Sequence, residues 1–342
     1  MRFDTLGLYA AYGEQKRVSL REAASLDGFI DEMRKEATEA LASDTFVHGQ
    51  RTEALFERIV AELGTCRVLK HEDAGEVFYR LDGPIQPADF RVVLDDGTER
   101  LIEVKNFRSR NGQNDFGFKT SYLESLEAYA KVMGRELLIA TYWVHANRWT
   151  LVSPSRFARQ GDRRTIPLIE ALTQNEMHLL GDLFIGSRSP MKFRIVSDPT
   201  EPRRVEEDGA ATFTIKCCEL WSEGRLITSP AEQKLGTFLY LYGDWEILES
   251  PMHAEAGEVI YVEHHFGLDE EISCQERNGF EIVGVLSSMI SRRHALATSE
   301  GGEVHGIRAP FMPGEVLDMI PEDYRGEALP IFRHRVHPKR SE

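Results

Sequence analysis

The 342-residue sequence predicts an α/β fold, with a mixed sheet flanked by helices over residues 44–197 and an α+β or β-rich domain over 203–342. Apolar residues recur at helical spacing over 44–63 and again at Tyr122, Leu126, Tyr129, Ala130 and Met133. Asp95-Asp96-Gly97 separates two strand-like runs and tolerates the positive φ that a tight hairpin needs. Residues 137–143 form an apolar run of strand length, suited to a central buried strand. The order helix, strands, helix, strand is that of a mixed-sheet α/β domain.

Taken in chain order, residues 1–43 read as a helical extension. Leu20, Ala23, Ala24, Phe29, Ile30, Met33 and Ala37 recur near helical spacing over 19–42, with Ser19 as the cap. A second helix starts at 44 or 45 and runs to Leu63, where Gly64 stops it. Residues 67–70 and 77–81 are short strand-like pieces, and the hairpin occupies 90–94 and 98–105. A polar loop over 109–114 leads past Lys119 into the helix that Gly134 closes. After the strand at 137–143, residues 145–148 turn the chain into another strand at 149–152. One further helix is expected over 166–182. Asp198-Pro199-Thr200-Glu201-Pro202 marks a domain boundary by composition. Beyond it, 212–220, 238–242 and 258–264 read as strands and 280–294 as a helix, apart from Gly284.

The bulk properties narrow the class. A hydrophobic content of 42% supports two medium cores. No apolar run approaches the length that crosses a bilayer, and the first residues lack the pattern of an export signal. A soluble, cytoplasmic protein without a membrane partner is expected. Cys66, Cys217, Cys218 and Cys274 show no Cys-x-x-Cys spacing, which argues against a zinc knuckle or a disulfide frame. A net charge of −15 counts against non-specific coating of nucleic acid and favours a guided encounter with cations gathered at one cleft.

Four features fall in a consistent order: Glu53, Asp89, then Glu103-Val104-Lys105, then Lys119 before a helix. Side chains two apart on a strand share a face, so Glu103 and Lys105 project together. Asp89 opens the partner strand of the hairpin, and simple antiparallel register brings it towards Glu103. Two carboxylates side by side are costly without a cation. Mg²⁺, a hard ion, suits Asp89, Glu103 and a strand carbonyl such as that of Val104, with Mn²⁺ able to substitute. Lys105 would then orient water or offset transition-state charge. Glu53 lies about 90° from the centre of its helix's apolar face and Glu57 about 130°, while Glu62 flanks the opposite border equally well, so the projection alone does not choose; Glu53 is taken, with Glu57 in reserve.

Gly49-x3-Glu53 with the following Ile59-Val60 and Leu63-Gly64, then Pro87-Ala88-Asp89, then Ile102-Glu103-Val104-Lys105, resembles the PD-(D/E)XK nuclease superfamily, which includes restriction endonucleases and archaeal Holliday junction resolvases. The helix around 122–133 and the strand at 137–142 resemble the elements that follow in that family. Ala88 departs from the pattern, since proline there usually precedes the Asp directly. The resemblance implies a restriction-endonuclease-like sheet and metal-dependent hydrolysis of DNA. In it, Asp89 and Glu103 bind Mg²⁺, Lys105 assists, and Glu53 supplies a further acid. It also implies a homodimer, and a partner protein in restriction, phage defence or repair. A catalytically inactive nucleic-acid-binding module and an RNA-directed nuclease are the rival readings.

Three further features stay open. Arg108, Arg110 and Lys119 either grip phosphates or belong to a solvated loop. Glu263-His264-His265, with His253 and His305, offers metal-ligand types, but adjacent strand histidines face opposite ways. The basic stretch 333–340 either touches nucleic acid or is a solvated end.

Overall fold

The structure is a computed structural model and describes residues 5–19, 21, 23–73, 78–80, 83–109, 115–268 and 279–338. It divides into two compact units, Met1–Arg51 and Thr52–Glu342. In the first, helices α1 (Thr5–Lys16) and α2 (Ala23–Leu41) meet through the rings of Tyr9, Tyr12 and Phe29 and through a 3.2 Å ion pair between Lys16 and Glu32. Helix α1 was not among the expected elements; Leu6 and Leu8 are exposed, so its apolar residues mark no single buried stripe. Helix α3 (Asp44–Leu63) runs through the division and carries Glu53 into the second unit.

The second unit continues with β1 (Cys66–His71), β2 (Phe90–Leu94), β3 (Glu99–Phe107), β4 (Asp115–Lys119), α4 (Thr120–Met133), β5 (Glu136–Trp143), β6 (Arg148–Val152), β7 (Ala158–Gln160), β8 (Arg163–Pro167) and α5 (Leu168–Thr173). Five strands form one sheet in the order β1-β2-β3-β5-β6. Only β3 and β5 run parallel, joined by the α4 crossover that a parallel pair requires, so the sheet is mixed as expected.

Alternation along β3 decides which side chain meets which helix. Ile102 and Val104 turn to α3 and join Phe56, Ile59, Val60, Leu63 and Phe90 in one apolar cluster. Leu101 packs on the other face with Leu123, Leu126 and Ile139, beneath α4. Glu103 shares the phase of Leu101 and is fully buried. Phe56, Ile59 and Leu63 are also fully buried, and each stabilises the fold by about 1.5–3 kcal/mol. A second, three-stranded sheet of order β4-β8-β7 flanks α4.

The rest is α+β. Strand β9 (Phe184–Arg188) pairs with Phe280–Val285 and Ile331–His334, while β10 (Met191–Ser197) pairs with Ile215–Ser222 and Glu258–Gly267. Strands that precede the turn at 198–202 therefore sit in sheets completed by residues that follow it. Helices α6 (Pro230–Tyr242) and α7 (Leu286–Thr298) pack on them.

Several expected elements differ. Residues 166–182 are not one helix: β8 runs to Pro167, α5 ends at Thr173, and a 3₁₀ turn takes Met177–Leu180. Asn175 breaks the helix, because its side chain accepts from the Leu151 and Met177 amides and donates to the Trp149 carbonyl. Residues 238–242 end α6 instead of forming a strand; Pro230 opens that helix, and Leu235, Phe238 and Leu239 are its buried stripe. Residues 280–285 are strand, and helix begins only after Gly284, whose φ is +150°. Of 77–81, residues 77 and 81 lie outside the described residues and 78–80 are not strand. Among the described residues, no helix is long and apolar enough to cross a membrane.

Candidate active site

Hairpin register sets the site. Phe90 pairs with Ile102, so Asp89, one residue before β2, falls opposite Glu103. Asp89 Oδ2 accepts a 2.6 Å hydrogen bond from the Val104 amide and lies 3.9 Å from Lys105 Nζ. That ammonium also donates to the Val104 carbonyl at 3.1 Å and is paired with Glu103 Oε1. The same Glu103 oxygen accepts a 2.6 Å bond from the Tyr122 hydroxyl, on the first turn of α4. Lys105 Nζ is 5.7 Å from the centre of the Tyr122 ring.

Burial and the Glu103 charge act on the groups around it. Burial first, and then the Glu103 charge, push Asp89 up to about 7 against the pull of Lys105 and the Val104 amide. Burial drags Lys105 down, but Glu103 and Asp89 outweigh it and hold the amine above the ordinary lysine range. Burial and the neighbouring Glu103 charge likewise push Tyr122 up. Glu53, half-buried on α3, feels burial and Asp73 upwards, Lys105 and His71 downwards, and Glu103 upwards, so it shares the field of the site. Glu57, the reserve acid, is instead tied to Arg308 at 3.0 Å and His71 at 3.6 Å.

A further layer pins the backbone of Asp89. The Glu72 amide donates to the Asp89 carbonyl at 2.9 Å. The Glu72 carboxylate accepts from Arg91 at 2.9 and 3.2 Å and from the Tyr129 hydroxyl at 2.7 Å. Neither Glu72 nor the Tyr122 hydroxyl was singled out from sequence. Strand phase identifies Glu103 and Lys105, but only the packing of α4 reveals which hydroxyls reach the carboxylates.

Of the proposed phosphate-gripping cations, Lys119 is exposed at the N-cap of α4 and Arg108 is exposed just past β3. Arg110 lies outside the described residues. In the C-terminal sheet, Glu263 is held by Lys192 (3.1 Å), Arg194 (2.7 Å) and His265 (2.6 Å), while His264 turns to Ser250. Strand 331–334, the start of the basic stretch, pairs with β9, and Arg333 donates to the carbonyls of Ile320, Pro321 and Glu322.

The donor set fits a hard divalent ion. Asp89, Glu103 and the Val104 carbonyl offer oxygen, which such an ion prefers. Glu103 Oε2 is buried and has no hydrogen-bond partner among the described residues, an acceptor that a cation would satisfy. Among the described residues, no three His, Cys, Asp or Glu side chains converge to hold a metal. The protein's share of such a shell is therefore two carboxylates and a carbonyl, leaving room for water and phosphate.

No protein-family model matches the chain, and no curated protein matches it. Among solved structures, it is similar to Hjc, a Holliday junction resolvase from Archaeoglobus fulgidus, with 17% identity over 30% of this chain and 83% of that one and a TM-score of 0.24. That likeness is weak, and the functional reading stands on side-chain geometry instead.

Proposed function

We propose that the α/β domain is a Mg²⁺-dependent nuclease that hydrolyses phosphodiester bonds in DNA. The observation that carries this is the meeting of Asp89, Glu103 and Lys105 on one face of the hairpin, with a buried Glu103 oxygen left without a donor among the described residues. Asp89, Glu103 and the Val104 carbonyl would hold the ion, and Glu53 would add negative charge from α3. When bound, it supplies Lewis-acid activation of the phosphate and of water.

The chain's own groups do the rest. The Val104 amide and the Glu72 backbone fix Asp89, while the Tyr122 hydroxyl fixes one oxygen of Glu103. Lys105 keeps its proton, because both carboxylates stabilise the charged form. It thus presents a positive charge that can orient water and offset charge growing on the phosphoryl oxygens. Lys119 and Arg108 would grip flanking phosphates.

One observation favours an inactive binding module instead: the Lys105 ammonium already satisfies Glu103 Oε1 and the Val104 carbonyl. Incubating supercoiled and linear DNA, beside single-stranded RNA, with wild type, Asp89→Ala and Lys105→Ala in Mg²⁺ separates the readings. DNA cutting by wild type alone is expected. DNA binding without cutting on any polynucleotide favours the module, and cutting confined to RNA overturns the choice of substrate.

A further inference from the structure

The small β4-β8-β7 sheet has two unlike faces. Phe116, Phe118 and Ile166 point inwards and are buried against Leu123, Leu126 and Trp143. On the outward face, register aligns Gly117, Thr165 and Ala158 across the three strands, with Lys119, Arg163 and Gln160 on one side of that row and the exposed Asp115, opposite Pro167, on the other. The first row is short side chains, and the second ends in two cations and an amide. Both cations and Gln160 are exposed; Arg159 on the edge strand is exposed too, but it pairs with Arg164 and so has the phase of the other face.

Ion pairing sets these cations apart. In the same half of the chain Arg67, Arg91, Arg100, Arg135, Arg148 and Arg164 each hold a carboxylate at 2.8–3.4 Å. Lys119, Arg159 and Arg163 have no carboxylate within 4.0 Å among the described residues. Among the described residues Arg163 is steadied by donating to the Gly117 carbonyl at 2.6 Å, which keeps its guanidinium over the sheet without a paired carboxylate. In a chain of net charge −15, Lys119 and Arg163 put two unpaired cations at the α4 end of this face, a reversal of sign confined to the end away from Asp115.

The face is fixed relative to the site. Arg164 donates twice to Glu127 of α4, at 2.8 and 2.9 Å, and the Thr120 amide donates to the Asp162 carbonyl at 2.7 Å. Tyr122, whose hydroxyl holds Glu103, is three residues beyond Lys119, less than one helical turn.

We infer that this outward face is a seat for the phosphate backbone of duplex DNA, the strand running over Gly117, Thr165 and Ala158 and clasped by Lys119 and Arg163. The inference rests on the nuclease reading and extends it, adding Arg163 and Gln160 to the substrate contacts. Gln160 donates to phosphate or sugar oxygen without reading sequence, and the seat fixes register along the duplex while the carboxylates act on one bond.

The test is duplex binding without divalent ions, by fluorescence anisotropy over a series of salt concentrations in EDTA. Each lost phosphate contact lowers the salt slope by about 0.9 and the affinity at 0.1 M salt by about eight-fold, so Lys119→Ala/Arg163→Ala should lose roughly 1.8 of slope and about 60-fold in Kd. Lys131→Ala, on the last turn of the same helix, should match wild type. Because both altered side chains are exposed, unchanged thermal melting is expected and checks folding. If wild type cuts DNA while the double variant keeps its slope and affinity, the seat is refuted and the nuclease reading stands. A slope reduced for single-stranded RNA but not for the duplex also refutes it. Wild type that neither binds nor cuts duplex removes both.

Discussion

Replacing Tyr122 with Phe removes one oxygen and leaves a ring that still stacks on Phe118, 5.8 Å away. The lost hydroxyl donates a 2.6 Å bond to Glu103 Oε1, an oxygen of a fully buried carboxylate. Hydrogen bonds to charged groups contribute about 1.5–3 kcal/mol. If that energy holds Glu103 in its ligating position, its loss raises the barrier by a similar amount, and kcat falls by about 10- to 150-fold. Tyr122 is a positioning residue on this account, so the Mg²⁺ concentration for half-maximal cutting should rise while Kd for DNA in EDTA stays put. The assay is plasmid nicking across a Mg²⁺ series, with anisotropy in parallel. Unchanged kcat together with an unchanged Mg²⁺ midpoint would show that the hydroxyl does not position Glu103, and a loss of DNA affinity equal to the loss in rate would place Tyr122 in substrate contact instead.

Lys105→Ala leaves Asp89 and Glu103 facing each other without a cation; because the lysine side chain is nearly a third exposed, the loss should be about 1–3 kcal/mol, read as a lower Tm in EDTA. An unchanged Tm would mean that the carboxylates do not need the amine. Arg58 and Glu62, bonded at 2.6 Å with side chains at most 2% exposed, form a buried pair, so Arg58→Met should cost about 3–5 kcal/mol in urea denaturation, and adding Glu62→Leu should recover much of it. Failure of the second change to recover stability would move the cost from charge to packing. Burial pushes Glu263 up, yet hydrogen bonds from His265, Arg194 and Lys192 outweigh it and hold the carboxyl down at about 2. A depressed folded value contributes stability that is full above the unfolded value near 4.5 and is lost as pH falls towards 2. Wild type should therefore exceed Glu263→Gln by about 3 kcal/mol at pH 7, and the gap should close between pH 4.5 and 2. A gap independent of pH would assign the effect to shape.

Much of the site was legible because strand chemistry is local. Asp95-Asp96-Gly97 announces the hairpin, Gly97 adopts φ +82°, and a period of two then puts Glu103 and Lys105 on one face. The register that brings Asp89 opposite follows from the same turn. Other parts depend on contacts distant in sequence. Thr237-Phe238-Leu239-Tyr240-Leu241-Tyr242 has strand-like composition, but Pro230 starts a helix and packing against Ile227 and Leu220 keeps it. Gly284 obscured the change from strand to helix at 285–286, because its φ of +150° suits neither. The β7–β8 hairpin, with Gly161-Asp162 at its turn, was hidden inside a stretch whose apolar residues resemble a helix further on. With it went Arg163, which register places beside Lys119, 44 residues earlier in the chain.

The central claim is that Asp89, Glu103 and the Val104 carbonyl are built around a divalent ion with Lys105 at its side. Anomalous diffraction from crystals soaked in Mn²⁺ tests that most directly. An anomalous peak is expected within bonding distance of Asp89 and Glu103, with the Lys105 ammonium moved off the Val104 carbonyl, and no such peak in Asp89→Asn crystals. A peak elsewhere, or none at Mn²⁺ concentrations that support cutting of DNA by the same preparation, would contradict it.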